Sequence, residues 1–165
     1  MTLRALIAAA ALSIAHAHTA AVQENSPPPE INTLIHQVLA DRIPANDIPD
    51  YGLLRGAKRI AVRSDLVRFR LGHAALPVLE GYELRLISTA DAQAEADRTQ
   101  ALVHFIAIDN LQVAGDTASL WLGVDFTMPS DRKGVKTCCC SRALEYRRVD
   151  SRWVFVRWRL EGQCS

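Results

Sequence analysis

Between Leu102 and Met128 the chain reads as two β-strands joined by a tight turn, and that reading limits what the rest can become. Leu102 to Val113 is rich in β-branched and aromatic residues. Ala114-Gly115-Asp116-Thr117 is a turn signal, and Ala118 to Met128 alternates apolar with polar. With Gly115 and Asp116 at the tip, Val113, Leu111, Asp109, Ala107, Phe105 and Val103 share a face with Ala118, Leu120, Leu122, Val124 and Phe126. The other face carries His104, Ile106, Ile108, Asn110 and Gln112 with Ser119, Trp121, Gly123, Asp125 and Thr127. An apolar sheet face of this length needs a second layer to cover it.

A second hairpin follows the polar loop Pro129 to Lys136, which is expected to be mobile. It pairs Leu144 to Val149 with Trp153 to Leu160. A three-residue loop, Asp150-Ser151-Arg152, aligns Leu144 and Tyr146 with Val154, Val156, Trp158 and Leu160 on one apolar face, whereas a two-residue loop scatters them. The three-residue register also sets Cys138 opposite Cys164, at a separation a disulfide can bridge. Cys138 to Cys164 is therefore the expected pair. Cys140, two residues along on the same face, is its rival, and Cys139 points the other way.

Upstream, Ile31, Leu34, Ile35, Val38 and Leu39 recur at helical spacing from Glu30, with Pro at the entry and Pro44 past the end. This is an amphipathic helix whose stripe faces the core. Residues 44–82 are broken by Pro and Gly. They allow a helical turn near Ile48 to Leu54, a strand at Arg59 to Arg63, a loosely alternating strand at Leu66 to Leu71 and another strand at Tyr82 to Ile87. Ser88 with Asp91 makes a capping-box start to an Ala-rich helix that runs to about Arg98. The fold class is α+β: an N-terminal helix packed on a strongly curved antiparallel sheet with long C-terminal hairpins.

The first 17 residues carry one Arg, an apolar run from Ala5 to Ala15 and Ala15-His16-Ala17, the three-part pattern of a cleavable export signal. The run is too short to span a bilayer, so no stable membrane insertion is expected after cleavage. Residues 18–29, ending in three prolines, read as a flexible leader, and 30–165 as one domain. Cleavage removes Arg4 and no acid, which leaves the mature chain with equal numbers of basic and acidic residues. Without a basic excess on one face, nucleic acid is not the expected partner. All four cysteines lie at or beyond residue 138. In an exported chain, periplasmic or extracellular, they are read as disulfide-bonded rather than as a soft-metal site. An N-terminal His18 could chelate copper, but no second histidine is placed to help, and no metal is expected.

The plan of a helix, a broken middle and long antiparallel strands, with Val113-Ala114-Gly115-Asp116-Thr117-Ala118 and Tyr146-Arg147-Arg148-Val149-Asp150-Ser151-Arg152-Trp153, resembles the nuclear transport factor two-like (cystatin-like) superfamily. Ser151 stands where that pattern usually has Gly. The stretch from Ala75-Leu76-Pro77 through Ala96-Asp97 to Gly115-Asp116 also looks like exported bacterial proteins of that plan whose function is not known. The resemblance implies a curved sheet wrapped around a helix with a cone-shaped pocket, which is catalytic in some members and purely binding in others, so fold alone does not settle activity. A homodimer through the sheet is expected from the apolar character of both faces of the last strand.

The candidate pocket residues are His104, Asp125 and Trp121. In the simple hairpin register His104 lies opposite Thr127 and diagonal to Asp125, on the face that holds Trp121, within reach of a hydrogen bond or a bridging water. A His and an Asp in an apolar concavity form an acid-base pair, whereas on an open sheet face they are ordinary surface groups. There is no Gly-x-Ser-x-Gly, and no cofactor motif. Glu95 and Asp97 read as surface charges, and Arg147, Arg148, Arg157 and Arg159 as a basic region partly neutralised by Glu145 and Glu161. Two functions remain: a non-catalytic exported module binding a small apolar ligand or a partner protein, and a cofactor-free lyase or isomerase using His104 and Asp125.

Overall fold

The computed structural model describes residues 26–132 and 139–164. The expected signal over 1–17, most of the leader, loop residues 133–136, Cys138 and the side chain of Leu160 lie outside the described residues. The elements are α1 (Pro29–Arg42), β1 (Arg59–Arg63), β2 (Glu83–Ile87), α2 (Thr89–Thr99), β3 (Val103–Ala114), β4 (Thr117–Thr127), β5 (Cys140–Val149) and β6 (Arg152–Cys164). Short 3-10 turns occupy Tyr51–Leu54 and His73–Ala75.

The six strands make one sheet in the order β2-β1-β3-β4-β5-β6. The class is α+β as expected, but the sheet is mixed rather than antiparallel, because β1 runs parallel to both β2 and β3. Residues 64–82 separate β1 from β2, and α2 lies between β2 and β3. Each connection is long enough for the crossover that parallel pairing demands. The expected strand at Leu66 to Leu71 is instead a small turn. Asp65 bridges Arg70, and the Leu66 N–H donates to the Phe69 carbonyl at 2.9 Å.

Helices serve the two faces separately. The α1 stripe Ile31, Leu34, Ile35, Val38 and Leu39 is buried in one cluster with Ile60, Val62, Ile106, Ile108, Leu120, Leu122, Leu144, Tyr146 and Trp153, which defines the front face. Ala92 and Ala96 of α2 join Ala61, Ile87, Val103, Phe105 and Ala107 in a second cluster on the back. Small residues on α2 suit that back layer, since alanines let the helix lie close to the strands. The Ser88 hydroxyl accepts from the Asp91 N–H at 3.0 Å, the expected cap, and donates to the Asp91 carboxylate at 2.6 Å.

Both hairpins differ from their expected registers, and bulges are the cause. The first turn is as expected: Ala114 pairs with Thr117, and Gly115 at φ 58° supplies the positive φ that a two-residue hairpin turn requires. Val113 then faces Ala118 and Gln112 faces Ser119, but Asp109 faces Trp121. One extra residue has entered β3 at Asn110, which sits at φ 48°. Because side chains alternate with period two, every β3 residue from Asp109 back to Val103 changes its partner and its face.

The second hairpin closes on two residues, not three. Val149 pairs with Arg152, and Asp150 and Ser151 take φ 47° and 66°, the pair of positive values of a type I′ turn. Left unbroken, that register would have scattered the apolar residues. A shift between Glu145 and Tyr146 corrects it, so Trp153, Phe155 and Trp158 all reach the front beside Tyr146 and Leu144. Val154 and Val156, expected with that group, are instead 48% and 54% exposed. A further shift between Arg142 and Leu144 brings Cys140 opposite Cys164, and these two form the disulfide. The expected Cys138 to Cys164 bond is therefore corrected: the extra bulge moves the partner position two residues along, to the cysteine that had been its rival. Cys139 is also disulfide-bonded.

Candidate functional site

The bulge at Asn110 separates the expected catalytic pair. His104 faces Phe126, with ring centroids 5.9 Å apart, and shares the front face with Ile106 and Ile108. Asp125 faces Phe105 and Trp121 faces Asp109, both on the back. His104 and Asp125 thus leave opposite sides of the sheet, and a proton cannot pass directly between them. Burial holds the His104 imidazole below its ordinary pKa. The Asp125 carboxylate accepts from the Phe126 N–H at 2.7 Å, a local bond on its own strand. None of the three residues lines the clefts described next. Among the described residues no group of three His, Cys, Asp or Glu is placed to hold a metal ion.

The largest of those clefts is a groove of about 560 Å³ along the outer half of β3. One wall is β3 from Ile108 to Ala114, another is the start of α1 at Pro28, Glu30 and Ile31, and the third is the turn Leu66 to Phe69. Its geometry follows from where β1 stops. After Arg63 the chain turns aside at Ser64, a buried residue whose N–H donates to Ile87 and whose carbonyl accepts from Leu71, both at 2.8 Å. β1 therefore pairs with β3 only at Ala61 with Phe105 and Val62 with Ile106. The rest of β3 continues past it, leaving space where β1 would have run on.

The bulge also sets the lining. Beyond it Leu111 and Val113 belong to the front, half-buried beside the core. Leu66 and Phe69 are half-buried across the groove, and Val67 is 92% exposed at the turn. Two of the charges at the rim are neutralised: Glu30 pairs with Arg148 at 3.2 Å and Asp109 pairs with Arg63. Arg68 makes no ion pair or hydrogen bond among the described residues. The groove thus combines the apolar side chains of Ile31, Leu66, Phe69, Leu111 and Val113 with polar residues at its rim, among them Arg68, a cation without an ion pair among the described residues.

A more polar cleft of about 390 Å³ lies on the far side of the same turn, lined by Asn32, Ser64, Arg70, His73, Ser88 and Asp91 among others. Its most suggestive element, the N-terminus of α2, is already occupied. The Thr89 N–H donates to both carboxylate oxygens of Asp65 at 3.0 Å. Burial would raise the Asp65 pKa, but these bonds outweigh it and hold the carboxyl below its usual value. A third cluster joins the end of α1 to β6. Arg42 lies over the Phe155 ring at 3.9 Å and pairs with Asp47 at 2.5 Å, and the Trp158 indole N–H donates to Asp47 at 3.2 Å. Beside it the Tyr146 hydroxyl is buried, and that burial pushes its pKa up to about 12 despite the nearby Arg42. Arg42, Asp47 and Trp158 hold one another in a structural role, while the buried Tyr146 hydroxyl has no hydrogen-bond partner among the described residues.

Sequence reasoning missed the groove. Asp109-Asn110, two turn-forming residues inside a strand, was the available sign of a bulge. No protein-family model, curated protein or solved structure matches the chain.

Proposed function

We propose that this chain is an exported, non-catalytic binding domain that takes its ligand in the groove beside the outer half of β3. The observation that carries the reading is the groove itself: about 560 Å³, with Leu66, Phe69, Leu111 and Val113 on its walls and Arg68 unpaired among the described residues. Ligand clefts fall at roughly 300–1,000 Å³ with a few placed polar groups on an apolar lining. The lyase or isomerase reading has no comparable support, because His104 and Asp125 stand on opposite faces.

Export through a signal over residues 1–17, to the periplasm or outside the cell, belongs to the same proposal. The Cys140–Cys164 disulfide supports it, since such bonds persist in oxidising compartments. No helix among the described residues is long and apolar enough to cross a membrane. The nuclear transport factor two-like plan, with its strong sheet curvature, is likewise proposed, supported by the helix-then-sheet order and by bulges that increase local twist. A homodimer through the back of the sheet is supported by the exposed Val154 and Val156.

Calorimetric titration with 1-anilinonaphthalene-8-sulfonate, an apolar dye with one negative charge, tests the groove. One dye should bind per chain, and Val67→Asp should weaken binding at least about tenfold, the difference that 1.4 kcal/mol makes. Val67 is exposed enough that this change leaves the fold intact. Unchanged affinity in Val67→Asp would place the ligand elsewhere.

A further inference from the structure

The groove is bounded by something more specific than apolar side chains, namely a run of strand backbone without a neighbour. β3 extends to Ala114, yet on the β1 side no strand pairs with it beyond Ile106. Among the described residues no backbone hydrogen bond joins its outer half to the turn Leu66 to Phe69 across the groove. Every second residue of such an edge presents an N–H and a C=O that no strand satisfies.

Proteins usually protect edges of this kind with charge, proline or a bulge. The two ends of this sheet follow that rule: β2 carries Glu83 and Arg85, and β6 carries Arg152, Arg157 and Arg159. The outer β3 edge differs. Leu111 to Ala114 contains no charge and no proline, and the bulge over Asn110 and Leu111 lies at its inner end, so Gln112, Val113 and Ala114 form a regular ladder with β4. This edge is screened only by the walls of a groove that remains open.

We propose that the groove takes an extended polypeptide segment of a partner protein, which adds as a strand to the β3 edge at Leu111 to Ala114. The inference rests on the groove-binding reading and names its ligand class. The side chains state what that segment should look like. Leu111 and Val113 project to the front at a period of two, where Ile31, Leu66 and Phe69 complete an apolar wall, so the segment should carry apolar residues at alternate positions. Arg68 at the rim has no partner among the described residues, so an acidic residue should flank the apolar pair. At about 3.4 Å per residue, a segment of roughly four to six residues matches the free edge.

The test uses the full chain and acetylated, amidated hexapeptides that alternate Val with Ser after a leading Glu. Two further versions are N-methylated on alternate residues, one in each phase. Strand addition requires that methylation in one phase lowers affinity at least about tenfold while the other phase leaves it unchanged, because only alternate N–H groups face the β3 edge. Peptide binding should also slow amide hydrogen exchange at residues 111–114. Arg68→Glu should weaken the peptide led by Glu and favour one led by Lys. If the dye binds but no peptide does, or if the two methylated series behave alike, strand addition is wrong and the groove reading stands. If neither dye nor peptide binds, both fall. If a peptide-free dimer dissociates on adding peptide, or a peptide of residues 18–25 binds more tightly than the designed ones, the occupant is a second copy or this chain's own leader, which overturns the partner assignment.

Discussion

Replacing both Cys140 and Cys164 with Ala should destabilise the domain by about 3 kcal/mol. The bond closes a loop with a sequence separation of 24. In the chain-entropy treatment that restriction of the unfolded ensemble amounts to about 3.4 kcal/mol at room temperature. The site lacks other support, because the β5 to β6 ladder shifts register between Arg142 and Leu144, so the last residues of β6 are held by few regular pairs. The double variant is preferable to either single one, since a lone thiol beside Cys139 invites exchange. Urea unfolding of the oxidised wild type and the variant, each extrapolated to water, gives the difference directly. For a domain of this size it corresponds to a fall in Tm of about 10 °C. A change below about 1 kcal/mol would refute the reasoning, because the cross-link would then not restrict the unfolded chain as the loop length requires. Cys140→Ala alone separates the two pairings: if Cys138 held the C-terminus instead, that substitution would leave stability almost unchanged.

Ser151→Gly should raise stability by about 1 kcal/mol in the same urea assay, because Ser151 occupies φ 66°, a conformation that costs a residue with a Cβ about that much; a loss would favour a three-residue loop. Gly123→Ala should cost about 2 kcal/mol or more, since its Cβ would lie 2.4 Å from the Cys140 carbonyl oxygen and 3.0 Å from the Ser141 Cα, backbone atoms that cannot move singly; a neutral result would show that β4 and β5 are farther apart here. Tyr146 should resist ionisation: its pKa is raised from 10.0 to about 12, so its stabilising effect is complete below pH 10 and is lost as pH rises through 12. Tyrosinate absorbance that reaches its full value near pH 10 without unfolding would contradict this. His104 shifts in the other direction. Its pKa is lowered from 6.5 by burial, so the stability linked to its neutral form is present above pH 6.5 and lost as pH falls. Its imidazole resonance should titrate below 6.5, and a midpoint above that value would mean an unrecognised acidic partner.

Elements were readable in the sequence wherever one period persisted. The α1 stripe, the Ser88 cap and the Gly115 turn each depend on residues within one or two turns of each other, and each appears where the local chemistry puts it. Register was not readable. A bulge adds one residue and leaves the hydrophobic pattern on either side intact, so the alternation of β3 looks continuous in sequence although its inner half has changed faces. The same is true of β6, where Phe155 and Trp158 share a face despite odd spacing. Parallel pairing of β1 was hidden for another reason. It depends on two connections, residues 64–82 and the α2 crossover, whose return points are set by packing against both faces rather than by any local signal.

The single residue inserted at Asn110 therefore decides the functional reading in both directions. In an unbroken register Asp109 would share a face with Leu111 and Val113, and a carboxylate would stand in their apolar row. His104 would lie on the face of Asp125 and Trp121. With the insertion, Asp109 turns to the back, where it pairs with Arg63 and faces Trp121, and the outer front row is left to Leu111 and Val113. The inner row swaps as well, sending His104 to the front against Phe126 and leaving Asp125 behind. One backbone irregularity thus separates His104 from Asp125 and, by the same change of face, puts Leu111 and Val113 along the free edge of β3.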